Sequence, residues 1–448
     1  MSESLLFGYA AADISPDRSV PLEGYEERLA IGKGNAGILD PLYVRALALR
    51  LGDAELLLIT LDLCVLSPDQ ANALRAAVSA RSGVVTERVM ISCSHTHSGP
   101  VTFDVWSTGI GNRPTASRPG VAAADVAVDD PVGRYVATLT ETVVTTACNA
   151  RFRLRPGALS HASATVGLGY NRRLERHDGT VDMLFSLWAS PDALPVGPID
   201  MQIPILSIDA IDTAGRASYC DPTGPRGVVL VSCPVHPVCL GKRSRVVSAD
   251  YPGALIGAIE AELPGHAAMF MLGACGDVQP MISTQENPKG ATIIGRTAGY
   301  AVLTALAAKR PIRVDTLDVV EESVDLRDLA GADENSDADR PGRLTTVTIQ
   351  SFAVGSAAVS AVSAECFTEY GPIVRRESGW DAVLVATNTN GWSGYIPTAD
   401  AFRLGGYEVD GAVGDGKPPS SFDTLSSIAV EQLRRLREGV IPTRRSPD

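Results

Sequence analysis

The sequence predicts an α/β protein built on one large mixed sheet, with an α+β arrangement as the alternative. Three observations carry this. Strand-like and helical runs alternate along the whole chain. The β-rich runs "LYVRALALRLG" (42–52) and "AELLLITLDL" (54–63) are parted only by a Gly-Asp turn and read as a hairpin. "SPDQANALRAAVSARSG" (67–83) then reads as a helix, with Ser67 as N-cap, Pro68 in the first turn and Gly83 as the stop.

"ERVMISCS" (87–94) is the next strand. Further strands are expected at 201–209, 226–235, 267–273, 346–353, 356–364 and 382–388, and helices at 130–148, 252–262, 291–309, 367–377 and 421–437. Two stretches look irregular, 107–130 and the acidic 327–344. Loops of that length in a folded domain are functional or unstructured, so 107–130 is a candidate lid or a flexible insertion. No repeat or linker interrupts the chain, and residues 1–448 are expected to form one domain.

Composition narrows the partners. The chain has 448 residues, 45% of them hydrophobic and 20% charged, with a net charge of −13. No Lys/Arg-rich block exists to release counterions from nucleic acid, so a small-molecule substrate is expected and nucleic acid is not. No apolar window spans a bilayer and the first residues lack a signal-peptide pattern, so no membrane partner is expected and the cytoplasm is the default location. A homo-oligomer is left open. The eight cysteines are scattered, mostly in apolar runs, and read as buried small hydrophobes rather than a disulfide framework. Cys233 and Cys239 flank His236, which leaves a thiol metal site open there.

Chemistry concentrates in the histidines. "CSHTHSGP" (93–100) holds two of only six, at a strand end, with one residue between them. Either the segment is a hydrogen-bonded turn, or two imidazoles on one side serve as metal ligand and proton carrier. His236, in "VSCPVHPVCLG", also ends a β-rich run and is a structural residue or a ligand from a neighbouring strand. His161, His177 and His266 lie in polar or Pro-Gly surroundings and read as surface residues.

"SCSHTHSGP" (92–100) resembles the H-T-H signature of the neutral/alkaline ceramidases, a family of zinc-dependent amide hydrolases. Further resemblances follow in order: "GILDPLYVRALAL" (37–49), "YNRRLERHDGTVD" (170–182), "HPVCLGKRSRVVSADYPGAL" (236–255), "LGACGDVQP" (272–280), "AECFTEYGPIVRR" (364–376) and "NGWSGYIPTADAFRLGGYE" (390–408). The likeness runs from about residue 7 to 410 and is to the catalytic domain. Residues 411–448 read as a loop, one amphipathic helix and a tail in place of the family's C-terminal sandwich-like domain. The resemblance implies one Zn2+ held by His95, His236, Glu365 and Tyr395. It places His97 as a proton or substrate contact, Arg172 near the substrate and Tyr407 facing the cleft. Two imidazoles and a carboxylate are a common catalytic zinc set. Glu365 also reads as a helix N-terminal acid, with Glu369 one turn later as its substitute. Asp62 and Asp277 are expected to orient the ligand histidines, or to cap turns.

The sequence departs from the family in three places. Gln279 stands where ceramidases carry a nucleophilic serine; a carboxamide cannot attack, which leaves an oxyanion contact or a water-positioning role. Leu39 replaces a histidine of the early motif. Aromatic residues are only 5% of the chain, and no exposed apolar loop suited to a lipid assembly is evident. The expectation is a zinc-dependent hydrolase that cleaves an amide or related C–N bond of a small polar substrate with metal-activated water. The oxyanion would be held by Gln279 or Tyr407 and the amine protonated through His97. The alternatives are a zinc-dependent elimination, cyclisation or acyl transfer, and an inactive ligand-binding relative.

Overall fold

Neighbouring residues of the strand Ala54–Leu61 enter different cores: Leu57, Ile59 and Leu61 join one cluster, Leu56 and Leu58 another. Side chains alternate across a strand, so a run that is apolar at every position must be covered on both faces. The computed structural model describes residues 4–103, 131–212, 224–329 and 344–439, and it shows what covers them.

The larger sheet runs in the order His266–Leu272, Gly227–Cys233, Gln202–Ala210, Arg155–Thr165, Leu6–Asp13, Tyr43–Leu51, Ala54–Leu61, Val89–Cys93, with the short Arg310–Ile312 paired to Arg155–Thr165. The outermost pair at each end is parallel and the rest are antiparallel, so the sheet is mixed. A second sheet has four strands, Leu317–Asp325, Thr346–Val354, Ala357–Val362 and Ala382–Ala386, the last two parallel.

One core cluster joins the sheets face to face: Leu47, Leu58, Met90, Leu206, Leu230 and Met271 from the larger, Phe352, Val359 and Leu384 from the smaller. The outer face of the larger sheet is covered by the helices Pro68–Ser82 and Pro131–Phe152 at one end, and by Asp250–Glu262 and Lys289–Leu306 at the other. The helices Tyr370–Ser378 and Ser421–Glu438 cover the smaller sheet. The result is four layers, helix, sheet, sheet, helix, and it is the mixed α/β class expected.

Local expectations hold for the helix Pro68–Ser82. Ser67 and Gln70 form a reciprocal capping box, and Gly83 ends the helix at φ 78°. The 42–63 hairpin pairs Val44 with Leu61 through to Leu51 with Ala54. Three long strands escape the sequence reading: Leu6–Asp13, Arg155–Thr165 and Leu317–Asp325. The first two are rich in Ala, Gly and Ser, poor strand formers that hold their place by pairing on both sides. Residues 107–130 and 330–343 lie outside the described residues, so neither the candidate lid nor most of the acidic loop is described. Leu326–Leu329 forms a 3-10 turn.

The seven described cysteines are free, six of them buried and Cys148 half-buried. His177 is exposed, but His161 and His266 sit half-buried in the larger sheet, His266 with Nε2 3.1 Å from an Asp209 oxygen. No described helix is long and apolar enough to cross a membrane. One loop does expose apolar side chains, contrary to expectation: Phe185, Trp188, Leu194 and Val196 are 40–80% exposed. They stand singly among Ser, Pro and Asp, so no run betrays them.

Candidate metal centre

Parallel pairing dictates where the chemistry collects. Val89–Cys93, Gly227–Cys233 and Ala357–Val362 each have a parallel neighbour, and the loops beyond their C-terminal ends carry His95, His236 and Glu365. Polar residues gather at such ends because the chain there leaves the sheet without leaving the core. The His95 amide donates to the Leu63 carbonyl over 2.8 Å, and its φ of 67° is left-handed. That conformation costs a non-glycine residue about 1–3 kcal/mol and is a mark of functional sites. The His236 amide donates to Val278, and the Glu365 amide to Gly394.

The three side chains meet. His95 Nε2 lies 3.3 Å from Glu365 Oε1, and His236 Nε2 lies 3.2 Å from Glu365 Oε2. All three residues are buried. His95 Nδ1 is 3.0 Å from the Cys64 carbonyl oxygen and His236 Nδ1 is 2.7 Å from that of Cys275. A carbonyl can only accept, so each Nδ1 carries the proton and each Nε2 presents a lone pair to the same point. The Trp392 indole donates to Glu365 Oε1 over 2.6 Å. His236 Nε2 and Glu365 Oε2 are buried with no hydrogen-bond partner. Two aimed imidazoles and a carboxylate with unmet lone pairs fit a divalent cation.

Asp62 and Asp277 do not orient these histidines. Asp62 pairs with Arg45 at 2.8 Å, and Asp277 accepts from the Thr368 amide and from Asn171. Backbone carbonyls take the expected role. Cys233 and Cys239 lie in the core and join no cluster of donor atoms around His236 among the described residues. Glu365, not Glu369, faces the histidines; the Glu369 side chain lies near Asp277 and Arg173.

Electrostatics agree with the geometry. Burial alone would raise the Glu365 carboxyl, but positive charge at this point, that of the His95 and His236 rings in their protonated forms, holds it well below the usual carboxylate range. Burial pulls His236 down despite Glu365, and it pulls His97 well down with help from the other two rings. Both rings are therefore neutral at pH 7.

Tyr395 is the strand partner of Glu365 in a two-residue parallel bridge. Burial, then the Glu365 charge, raises its phenol well above 10. Its hydroxyl is 3.3 Å from Arg172 Nη2. Arg172 is itself buried and almost fully engaged: Nε bonds Glu408 at 2.7 Å, Nη2 bonds the Gly276 carbonyl, and Nη1 has a 3.5 Å contact with Gln279 Oε1. Glu408 also takes Arg173 at 2.6 Å. The guanidinium of Arg172 lies 5.5–5.8 Å from the ring centres of Phe185, Tyr395 and Tyr407. Tyr407 and Phe185 are each 40% exposed and pack edge to face. The Gln279 carboxamide donates through Nε2 to the Phe185 carbonyl over 3.0 Å, while its Oε1 has only the long 3.5 Å contact with Arg172.

His97 stands beside the three-residue set, its Nε2 3.3 Å from that of His95. The segment 23–28 clamps it. Gly24, at φ 105°, lies so close that a Cβ would stand 2.5 Å from the imidazole Cγ. The Tyr25 ring meets it edge on, and Arg28 Nη2 donates to the His97 carbonyl. Sequence reading passed over this segment, as it did Trp392 and Glu408, and read Cys64 only as a buried small hydrophobe. Only Trp392 and Glu408 lay inside quoted motifs. A cavity of about 450 Å3 lies elsewhere, among Asp40, Tyr43, Arg45 and Glu260, and its lining includes none of the site residues.

No family model matches the chain, and no curated protein matches it. Solved structures do. The neutral ceramidase from Pseudomonas aeruginosa superposes with a TM-score of 0.74 at 18% identity, over 100% of this chain and 77% of that one. A ceramidase complexed with C2 gives a TM-score of 0.73, again at 18% identity and the same coverage. This chain therefore has the fold of the neutral ceramidases.

Proposed function

We propose that this protein is a zinc-dependent hydrolase of an amide or related C–N bond in a small polar substrate. The observation that supports this most is the pair of buried, unpartnered atoms His236 Nε2 and Glu365 Oε2, beside an equally aimed His95. His95, His236 and Glu365 would hold the metal, with Tyr395 as the fourth candidate. Zinc bound there supplies a Lewis acid that polarises a carbonyl and brings the pKa of a water to about 7.

The chain's own residues supply the rest. His97, neutral and clamped by Gly24 and Arg28, accepts a proton from the water as it adds to the carbonyl carbon and returns it to the amine as the C–N bond breaks. Tyr407, half-exposed at the mouth, donates its phenolic hydrogen to the developing oxyanion. Arg172 keeps the Tyr395 hydroxyl in place and leaves only Nη1 loosely held for a substrate oxygen. Gln279 offers no nucleophile, and its amide N–H is directed at the Phe185 carbonyl rather than at the oxyanion. Water is thus the attacking group.

The test combines metal analysis with turnover of a panel of small N-acyl amides in oxygen-18 water. Stoichiometric zinc and label in the released carboxylate support the reading. Turnover without label points to elimination, cyclisation or acyl transfer, and ligand binding without turnover to an inactive relative. Protein that folds but takes up no metal overturns it.

A further inference from the structure

His95 belongs to two overlapping groups of donors. Besides His236 and Glu365 it has Cys64 and His97, and donor atoms of Cys64, His95 and His97 all lie within 4.8 Å of one another. Cys64 Sγ is 3.6 Å from His95 Nδ1, and the Nε2 atoms of His95 and His97 are 3.3 Å apart. The two groups differ in chemical character. One ends in a carboxylate and suits a hard or borderline divalent ion; the other ends in a thiol inside an apolar cluster of Val65, Phe103 and Trp392. A thiolate donor favours soft cations, and imidazole, a borderline donor, accepts them.

We propose that Cys64, His95 and His97 form a second site, for a soft thiophilic cation of the Cu(I) and Cd(II) class, and that filling it disables the His95, His236 and Glu365 group. On binding, the Cys64 S–H bond breaks, a sulfur–metal bond forms and the proton leaves to solvent; no electrons change hands. The exclusion follows whichever His95 nitrogen is used. Through Nε2, the lone pair aimed at Glu365 is taken. Through Nδ1, the ring proton must move to Nε2, so the hydrogen bond to the Cys64 carbonyl that aims the ring is given up and the lone pair facing Glu365 is covered. His97 is withdrawn in either case. The site itself is independent of the hydrolase reading; only its inhibitory effect rests on that reading.

The experiment titrates the full-length protein with cadmium ion and records the ultraviolet charge-transfer absorption of a thiolate–cadmium bond, with bound zinc measured in parallel. Wild type is expected to gain the absorption and to release its zinc. Cys64→Ser and Cys64→Ala are expected to lose the absorption and keep their zinc, with circular dichroism checking the fold. Glu365→Gln, which disables only the other group, is expected to retain the absorption. Absence of the band in wild type, or its persistence in both Cys64 variants, overturns the proposal. Neither readout requires turnover, so failure of the hydrolase reading leaves the absorption result standing.

Discussion

His236 Nδ1 lies 2.7 Å from the carbonyl oxygen of Cys275, a contact that leaves Nε2 as the nitrogen able to bind a metal. His236→Ala removes that nitrogen, and Glu365→Gln removes the charge opposite it. Both variants are expected to lose stoichiometric zinc on dialysis, measured by elemental analysis, while circular dichroism stays that of wild type. Retained zinc in both would sink the assignment.

Trp392 holds Glu365 without touching the proposed ion. Its indole N–H donates to Oε1 over 2.6 Å. Trp392→Phe keeps the ring and deletes the donor, and should weaken zinc affinity by about 10–100-fold, the usual effect of an outer hydrogen-bond partner. Competition with a chelator of known affinity measures it.

Gly24 separates the two histidines of the H-x-H pair experimentally. A methyl group there collides with the His97 ring and not with the metal-facing group, and the φ of 105° strains any other residue. Gly24→Ala is expected to lower kcat by up to about 10²–10⁴-fold, the span of acid–base contributions, with zinc content unchanged. Joint loss of zinc and activity would place His97 among the ligands instead.

Glu408 is fully buried between two guanidinium groups, Arg172 at 2.7 Å and Arg173 at 2.6 Å. Glu408→Gln leaves both cations without a buried counter-charge and should cost about 3–5 kcal/mol in urea unfolding. A variant within 1 kcal/mol of wild type, roughly the worth of an exposed pair, would contradict this.

Asp277 predicts a pH dependence. Burial and the nearby Glu369 raise its carboxyl to about 7. The ordinary value is about 3.9, so between these limits the folded protein binds more protons than the unfolded chain. Stability from this group is full below about pH 4 and lost as the pH rises to about 7. The stability difference between wild type and Asp277→Asn, measured by thermal melts, should therefore grow in favour of the variant across that window and level off above it.

Much of the candidate site was legible: the H-x-H pair at 95–97 and His236 stood out at the ends of β-rich runs, and Glu365 only through the resemblance of its segment to the ceramidases. What was hidden is instructive. The groups that orient His95 and His236 are the carbonyls of Cys64 and Cys275, and every residue carries a carbonyl, so sequence pointed instead to Asp62 and Asp277. Trp392, Glu408 and Gly24 act through long-range contacts that no period or spacing announces. Of the fold, the longer helices and the apolar strands stood out, while the short helices Glu26–Ala30, Ala399–Leu404 and Tyr407–Gly414 did not. Leu6–Asp13 and Arg155–Thr165 did not, because partners on both sides, rather than their own side chains, make them strands.

The two sheets meet along the Leu58, Met90, Phe352 and Leu384 layer, and each contributes to the centre: His95 and His236 lie beyond strands of one, Glu365 beyond a strand of the other. The centre is thus a seam. A chain still being synthesised owns both imidazoles long before the carboxylate, 129 positions after His236, has been made. Until the smaller sheet docks, an ion held by the two imidazoles would lack its anionic donor, so on the proposed reading tight metal capture would come late in folding.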